Sequence, residues 1–177
     1  IAETGSKEIE RAIELISTSL GNRGHLFLMG NGGSAADAQH IAAELVGRYR
    51  LERAGYAVMA LTTDTSILTA LGNDYGFENI FSRQVEALSH KGDVLLGLST
   101  SGNSRNLAIA FAKGREMGLI TIGLLGCEGG IIKDLVDLAI IIPSSITPRI
   151  QEAHITVGHI ICEGVEAILA ITRSNRR

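Results

Sequence analysis

Cysteine is scarce: Cys127 and Cys162 are the only two in 177 residues, and both lie in apolar segments. Two thiols exclude a disulfide scaffold and a cysteine-rich zinc module, fit a reducing compartment, and read as small buried side chains. Neither sign of charge is in excess. Sixteen basic residues face 19 acidic ones for a net charge of −3, so no broad cationic surface awaits a phosphate backbone and no nucleic-acid partner is expected. Apolar runs are short: stretches such as 119–125 fall far below the roughly 20 residues of a membrane span, and the opening residues do not resemble a signal peptide. No membrane partner is expected, and the expected location is cytoplasmic. Because the chain opens on Ile1 rather than Met, a few preceding residues are expected to be missing. No Gly-Lys-Ser/Thr follows either candidate loop, which excludes a Walker phosphate loop.

Proline is scarce as well, with 2 residues against 21 glycines, a balance that suits alternating strands and helices joined by tight glycine turns. The length, with 45% hydrophobic residues, supports one core and one domain over 1–177. Helical spacing runs from Lys7 to Ser19, with Ile9, Ala12, Ile13 and Ile16 on one face and a Gly21-Asn22 stop. Short apolar runs at 25–29, 57–61, 93–98, 119–125 and 137–142 read as five strands. Helices are expected from Ser34 to about Arg48, from about 65 to Leu71, over Glu78 to Leu88, from Ser104 to about Met117, and from Pro148 to about Ala170. Strands that are apolar throughout are buried on both faces, as parallel strands are when crossover helices cover them. The expected fold is α/β: a three-layer α/β/α sandwich around a five-stranded parallel, flavodoxin-like sheet, ending in a long C-terminal helix. Ligands of such sheets bind at the carboxyl ends of the strands, where two loops of interest fall.

The first loop is Gly30-Asn31-Gly32-Gly33-Ser34. Ser34 is placed as the helix N-cap with Asp37 completing a capping box, and the glycines allow close backbone approach to an anion or an electron-rich oxygen. A plain tight turn is the bland alternative. Gly30-x-Gly32-x-x-Ala35 also meets a dinucleotide fingerprint, but the acid due about 20 residues on is misplaced: Glu52 precedes the second strand and Asp64 lies too far along. The second loop, Ser99-Thr100-Ser101-Gly102-Asn103-Ser104, offers four hydroxyls at a helix start. Such a loop can surround a sugar phosphate without lysine, although serine-rich turns are also common as solvated loops.

His40 and Glu44, four apart on the helix after the first loop, project from one face and could bind a metal, share a proton or decorate a surface. The last helix, opened by Thr147 as N-cap and Pro148 at its first position, carries Gln151, Glu152, His154 and His159 among isoleucines and valine. Gln151 and His159 are offset by about 80° on a 3.6-residue helix, so both can face one site. His154 reads as a satisfied core histidine. His25 and His90 have no assigned role.

Gly30-Asn-Gly-Gly-Ser34, Gln39-His40-x-Ala-Ala-Glu-Leu45, Thr62-Thr-Asp64, Gly72-Asn-Asp-Tyr-Gly-Phe77, Ser99-Thr-Ser-Gly-Asn-Ser104 and Arg149-Ile-Gln-Glu-x-His154 followed by His159 closely resemble the phosphoheptose (sedoheptulose-7-phosphate) isomerase family of the sugar isomerase (SIS) domain superfamily. The likeness spans nearly the whole chain. It implies conversion of sedoheptulose 7-phosphate to D-glycero-D-manno-heptose 7-phosphate, the first step toward lipopolysaccharide core heptose, by a zinc-binding homotetramer with its sites between subunits. Carried over residue by residue, it implies metal ligands at His40, Glu44, Gln151 and His159, with Gln151 the weakest because an amide oxygen is an uncommon zinc ligand. It implies substrate contacts at Asn31, Gly32, Gly33, Asn73, Asp74, Ser99, Thr100, Ser101, Ser104 and Gln151, and Glu44 and His159 as the acid–base pair of an enediol mechanism. One departure from the family lies between Gly123 and Lys133, where Leu-Leu-Gly-Cys-Glu-Gly-Gly is expected to touch no site residue.

The same superfamily contains a non-catalytic tetramer that binds the bacterial replication initiator protein and shares both loops and the Arg-Ile-Gln-Glu start of the last helix. It lacks counterparts of Glu44 and His159, whose joint presence here favours the enzyme. A sugar-phosphate sensor, or an isomerase of another phosphoketose, would also keep both loops.

Overall fold

Residue 5 through residue 174 are described by the computed structural model; the reading of the opening four residues lies outside them. Helix α1 (Ser6–Gly21) buries Ile9, Ala12 and Ile16 on one stripe, as the helical spacing requires. Five strands follow: β1 (Leu26–Gly30), β2 (Val58–Ala60), β3 (Val94–Ser99), β4 (Ile120–Gly126) and β5 (Leu138–Ile142). They form one parallel sheet in the order β2-β1-β3-β4-β5. The central strands β1 and β3 are buried at every position, as expected for unbroken apolar runs. The edge strands are not: Met59 on β2 and Ile141 on β5 are exposed, and β2 is shorter than its apolar run.

Because successive strand residues point to opposite faces, the sheet feeds two cores. Leu26, Leu28, Leu96 and Leu124 pack with Ile9 and Ile16 of α1, with Ile41 and Leu45 of α2 (Gly33–Val46), and with Val157 and Ile161 of α6 (Thr147–Ser174). On the other face, Phe27, Met29, Leu95 and Leu125 pack with Val85 of α4 (Ser82–Leu88) and Phe111 of α5 (Arg105–Glu116). The result is the expected three-layer sandwich with the flavodoxin-like strand order.

Three local expectations shift. The helix expected over Glu78 to Leu88 begins at Ser82, after a 3-10 turn at Phe77–Asn79. Helix α3 (Thr65–Tyr75), capped by the Asp64 carboxylate accepting from the Ile67 amide at 2.9 Å, runs four residues past Leu71, and none of its residues is buried. By length and composition, the segment Thr147–Ile171 of α6 could also cross a membrane, which a search for unbroken apolar runs misses because polar residues interrupt it. Those interruptions place α6 as a core helix: His154 and Glu166 on it are buried among protein atoms, and it packs against α1 and α2.

Candidate active site

In a sheet of this order the chain leaves β1 and β3 toward opposite faces, so the loops after them part at their carboxyl ends and open a crevice. The glycine loop follows β1 and the serine loop follows β3, and the two strands are hydrogen-bonded neighbours from Leu26 beside Val94 to Gly30 beside Leu98. The register alone places both loops at one crevice.

The glycine loop differs from its expected capping. Gly32, at φ +55°, is the N-cap of α2, and no side chain caps the helix. Ser34 is instead buried inside the first turn, where its amide donates to the Asn31 carbonyl at 3.0 Å. The cause is the positive φ, which glycine adopts freely and serine does not; it lets the helix begin before Ser34. Asp37, now within the helix rather than in a capping box, has a buried carboxylate oxygen without a hydrogen-bond partner, and burial raises its pKa against the lowering effect of His40. Gly33 marks a close approach: a Cβ there would meet the side-chain amide of Gln151 on α6, which would have to move aside. Gln151 therefore sits against the glycine loop.

Farther along α2, Nε2 of His40 lies 3.3 Å from Oε1 of Glu44 and 3.0 Å from Nε2 of His159 on α6. The three side chains bring one ligand atom each within 4.8 Å of one another. His40 and Glu44 are 48% and 26% exposed, so solvent and ligand can reach them. Two ring nitrogens at 3.0 Å need a shared proton or a common cation between them, and two imidazoles with a carboxylate form a donor set that suits zinc. The residues fit a metal. Glu44 and His159, 115 positions apart in sequence, meet within one chain, so this part of the site needs no second protomer.

The serine loop is knitted to itself. Ser99 is buried, its hydroxyl lies 3.0 Å from that of Ser104, and it accepts from the Gly102 amide at 3.1 Å. The hydroxyl of exposed Ser101 accepts from the Asn103 amide at 3.1 Å. The segment after β4, expected to touch no site residue, in fact braces this loop. The Cys127 thiol donates to the Thr100 carbonyl at 3.5 Å, the Ile132 amide to the Gly102 carbonyl at 3.0 Å, and the Ile131 amide to Oδ1 of Asn103 at 3.0 Å. Gly102, at φ +67°, approaches the Gly129 backbone so closely that a Cβ would collide with its carbonyl. Contacts of this kind are made by backbone, which residue identities in 123–133 do not advertise. A cleft of about 660 Å³ opens beside the loop, lined in part by Ser101, Asn103, Cys127 and Ser144.

Sequence reasoning missed the bridge between the loops. Asn31 and buried Asn106 exchange reciprocal amide hydrogen bonds of 3.0 and 2.8 Å. Asn106, an amide two residues after the serine motif, carried a faint signal. Asn73 and Asp74 are exposed in the last turn of α3, where Asn73 donates to Asp74 at 2.7 Å; among the described residues neither bonds to either loop. His154 is fully buried, as expected of a core histidine, but it is not satisfied: the Leu125 backbone lies near enough to favour protonation, yet neither ring nitrogen reaches hydrogen-bonding geometry. Burial dominates and pulls its pKa down to about 4, so it is neutral. The thiols differ as well: Cys162 is fully buried, which pushes its pKa up to about 12, whereas Cys127 is half-buried.

The sequence model of the SIS domain family matches residues 1–126. A phosphoheptose isomerase of Geobacter sulfurreducens is 63% identical over 153 residues, 86% of this chain and 81% of that protein, and one of Helicobacter pylori is 52% identical over 164 residues, 93% and 85% of the two chains. Among solved structures, a phosphoheptose isomerase of Neisseria gonorrhoeae superposes with a TM-score of 0.89 at 44% identity, covering 94% of this chain and 89% of that one. One from Francisella tularensis gives 0.91 at 33% identity, covering 94% and 88%. On these matches, this chain belongs to the phosphoheptose isomerase family of SIS-domain enzymes.

Proposed function

We propose that the chain interconverts sedoheptulose 7-phosphate and D-glycero-D-manno-heptose 7-phosphate through an enediol. The observation that carries this reading is the convergence of His40, Glu44 and His159 on one another, with His40 and Glu44 on the helix that the glycine loop opens. The reaction moves a carbonyl from C2 to C1. A base takes a proton from C1 of the ketose while an acid protonates O2; the enediol then gives up its O1 proton and accepts one at C2. In this reading Glu44 carries the carbon-bound proton, since a carboxylate that turns one oxygen to His40 has a second for substrate, and His159 serves the oxygens.

The serine loop, with Ser99, Thr100, Ser101 and Ser104, would hold the phosphate. Asn31, Gly32, Gly33 and Gln151 would orient the sugar chain beside the triad, and Asn73 and Asp74 would add contacts from α3. A zinc ion held by His40, Glu44 and His159, with Gln151 as a weaker fourth ligand, would supply Lewis-acid polarisation of the carbonyl.

Several broader features complete the proposal. The chain is read as one SIS unit over 1–177, supported by the packing of α6 on α1 and α2. It is read as a homotetramer with sites completed between subunits, supported by exposed Ile160, Ile168 and Ile171 on α6 and by the wholly unburied α3. It is read as cytoplasmic and as making lipopolysaccharide heptose, with neither nucleic acid nor membrane as partner, a reading supported by resemblance to the family.

The test is incubation of the purified protein with sedoheptulose 7-phosphate, with and without chelator, following product by NMR. Conversion that chelator abolishes and zinc restores is the expected result. No conversion with metal restored would reduce the protein to a binder, and conversion of shorter ketoses alone would change the substrate.

A further inference from the structure

The triad is split between two helices, His40 and Glu44 on α2 and His159 on α6, so something must set the distance between them. A buried ion pair lies between these helices. Glu166, two turns beyond His159 on α6, is 2% exposed, and the side chain of its partner Arg53 is 7% exposed, with Nε at 3.0 Å from Oε1. The carboxylate also accepts from the amides of Tyr49, Arg50 and Leu51 at 3.2, 2.8 and 2.9 Å. Burial alone would raise its pKa; these three amides and the Arg53 guanidinium outweigh that and hold it below the usual carboxylate range. Arg53 in turn donates to the carbonyls of Glu44, Leu45 and Gly47 at 3.0, 2.8 and 2.9 Å, closing the C-terminal end of α2, and its guanidinium lies 4.1 Å over the Tyr56 ring.

Two consequences reach the triad. The backbone carbonyl of Glu44 itself is tied through Arg53 to α6. The 49–51 segment is drawn onto α6 as well, which stacks the Tyr49 ring against the His159 imidazole, with centroids 5.8 Å apart and planes at 30°. Stability is a poor reason to keep such a pair, because well-packed apolar residues often replace a buried ion pair without loss, whereas registry between elements is a use it serves.

We propose that Arg53 and Glu166 are positioning residues that set the spacing between the two halves of the triad, with Tyr49 fixing the His159 ring. The inference rests on the reading of the triad as a metal site and is tested with that site directly. The variants are Glu166→Gln, which keeps the shape and loses the charge, and Arg53→Lys, which keeps the charge and loses the fork of donors. The control is Asp93→Asn, which weakens the buried carboxylate that accepts from the His25 and His90 amides at 2.8 Å each and, among the described residues, bonds to neither α2 nor α6.

Zinc affinity by competition with a chromophoric chelator, and the visible spectrum of the cobalt-loaded protein, are measured at a temperature where circular dichroism shows every variant folded. Glu166→Gln and Arg53→Lys should bind zinc on the order of tenfold to a hundredfold more weakly, as loss of groups that orient ligands does, and should shift the cobalt bands. Asp93→Asn should do neither even if its melting temperature falls as far. Wild-type affinity and spectrum in both pair variants, or an equal loss in the control, would overturn the proposal. If the wild type binds no metal, the metal reading fails, and histidine ring nitrogen resonances of the metal-free protein decide the positioning role alone: the signals of His40 and His159 should move in the pair variants and stay in the control. Arg53→Lys retains a cation for Glu166 and carries the test should Glu166→Gln fold poorly.

Discussion

The serine loop and the polar triad are built on opposite plans. The serine loop is internally bonded through Ser99, Ser101 and Ser104 and braced from outside by Cys127, Gly129, Ile131 and Ile132, so its shape exists before any ligand arrives. The triad, on the later turns of α2 and on α6, has no such brace of its own: its side chains stand half exposed on two helices and meet only because the helices are held in register. A preformed loop suits a group that must be gripped without changing, such as a phosphate. Partly open imidazole and carboxylate suit groups that must exchange protons or take a cation. The division predicts that damage to the first plan appears in binding and damage to the second in turnover.

The largest expected effect tests the second plan. Glu44→Gln keeps the size of the side chain and removes its ability to accept a proton. Turnover should fall on the order of 10³- to 10⁴-fold, about 4–5 kcal/mol of barrier, with little change in KM or melting temperature. Steady-state kinetics beside thermal unfolding would check this, and near-normal turnover would remove Glu44 from the chemistry. Gly102→Ala tests the first plan. A methyl at φ +67° pressed onto the Gly129 carbonyl must displace backbone on both sides, for about 2–3 kcal/mol of stability. KM for the sugar phosphate should rise about tenfold or more while kcat at saturation changes far less. A variant that lost kcat and kept KM would break the comparison between the loop and the triad.

The architecture was legible in the sequence because its signals are local. Unbroken apolar runs marked β1, β3 and β4 as doubly covered strands, 3.6-residue spacing marked α1, and a Thr147-Pro148 start marked α6. The i, i+4 spacing placed His40 beside Glu44. What was not legible depended on backbone geometry or on distant partners. The start of α2 was misplaced because a positive φ at Gly32, rather than a serine cap, opens the helix. The brace of the serine loop by 127–132 runs mostly through amides and carbonyls, which every residue has. Glu166 gave a signal that went unread: an acid between Val165 and Ala167 on the apolar side of the helix needs a buried partner, though nothing in the spacing pointed to Arg53. The meeting of His159 with His40 came from motif resemblance rather than from periodicity, since no local rule joins α6 to α2.

The smallest expected effect lies where the two plans join. Asn106, 3% exposed, exchanges two hydrogen bonds with Asn31 of the glycine loop and also accepts from its neighbour's amide, Leu107, at 3.1 Å. Asn106→Ala strands one half-buried amide and frees the glycine loop from the start of α5, a loss of about 1 kcal/mol. Because the bridge ties the glycine loop, where α2 starts, to the start of α5, a modest fall in both kcat and 1/KM, each a few-fold, is expected rather than a change in one alone. Asn106→Asp retains acceptors for the Asn31 amide and the Leu107 amide but loses the donor to Asn31 Oδ1, so it should fall between wild type and Asn106→Ala in both constants. Were Asn106→Ala to alter only the melting temperature, the two loops would act independently, and the reciprocal amides would hold the fold together without keeping substrate in line.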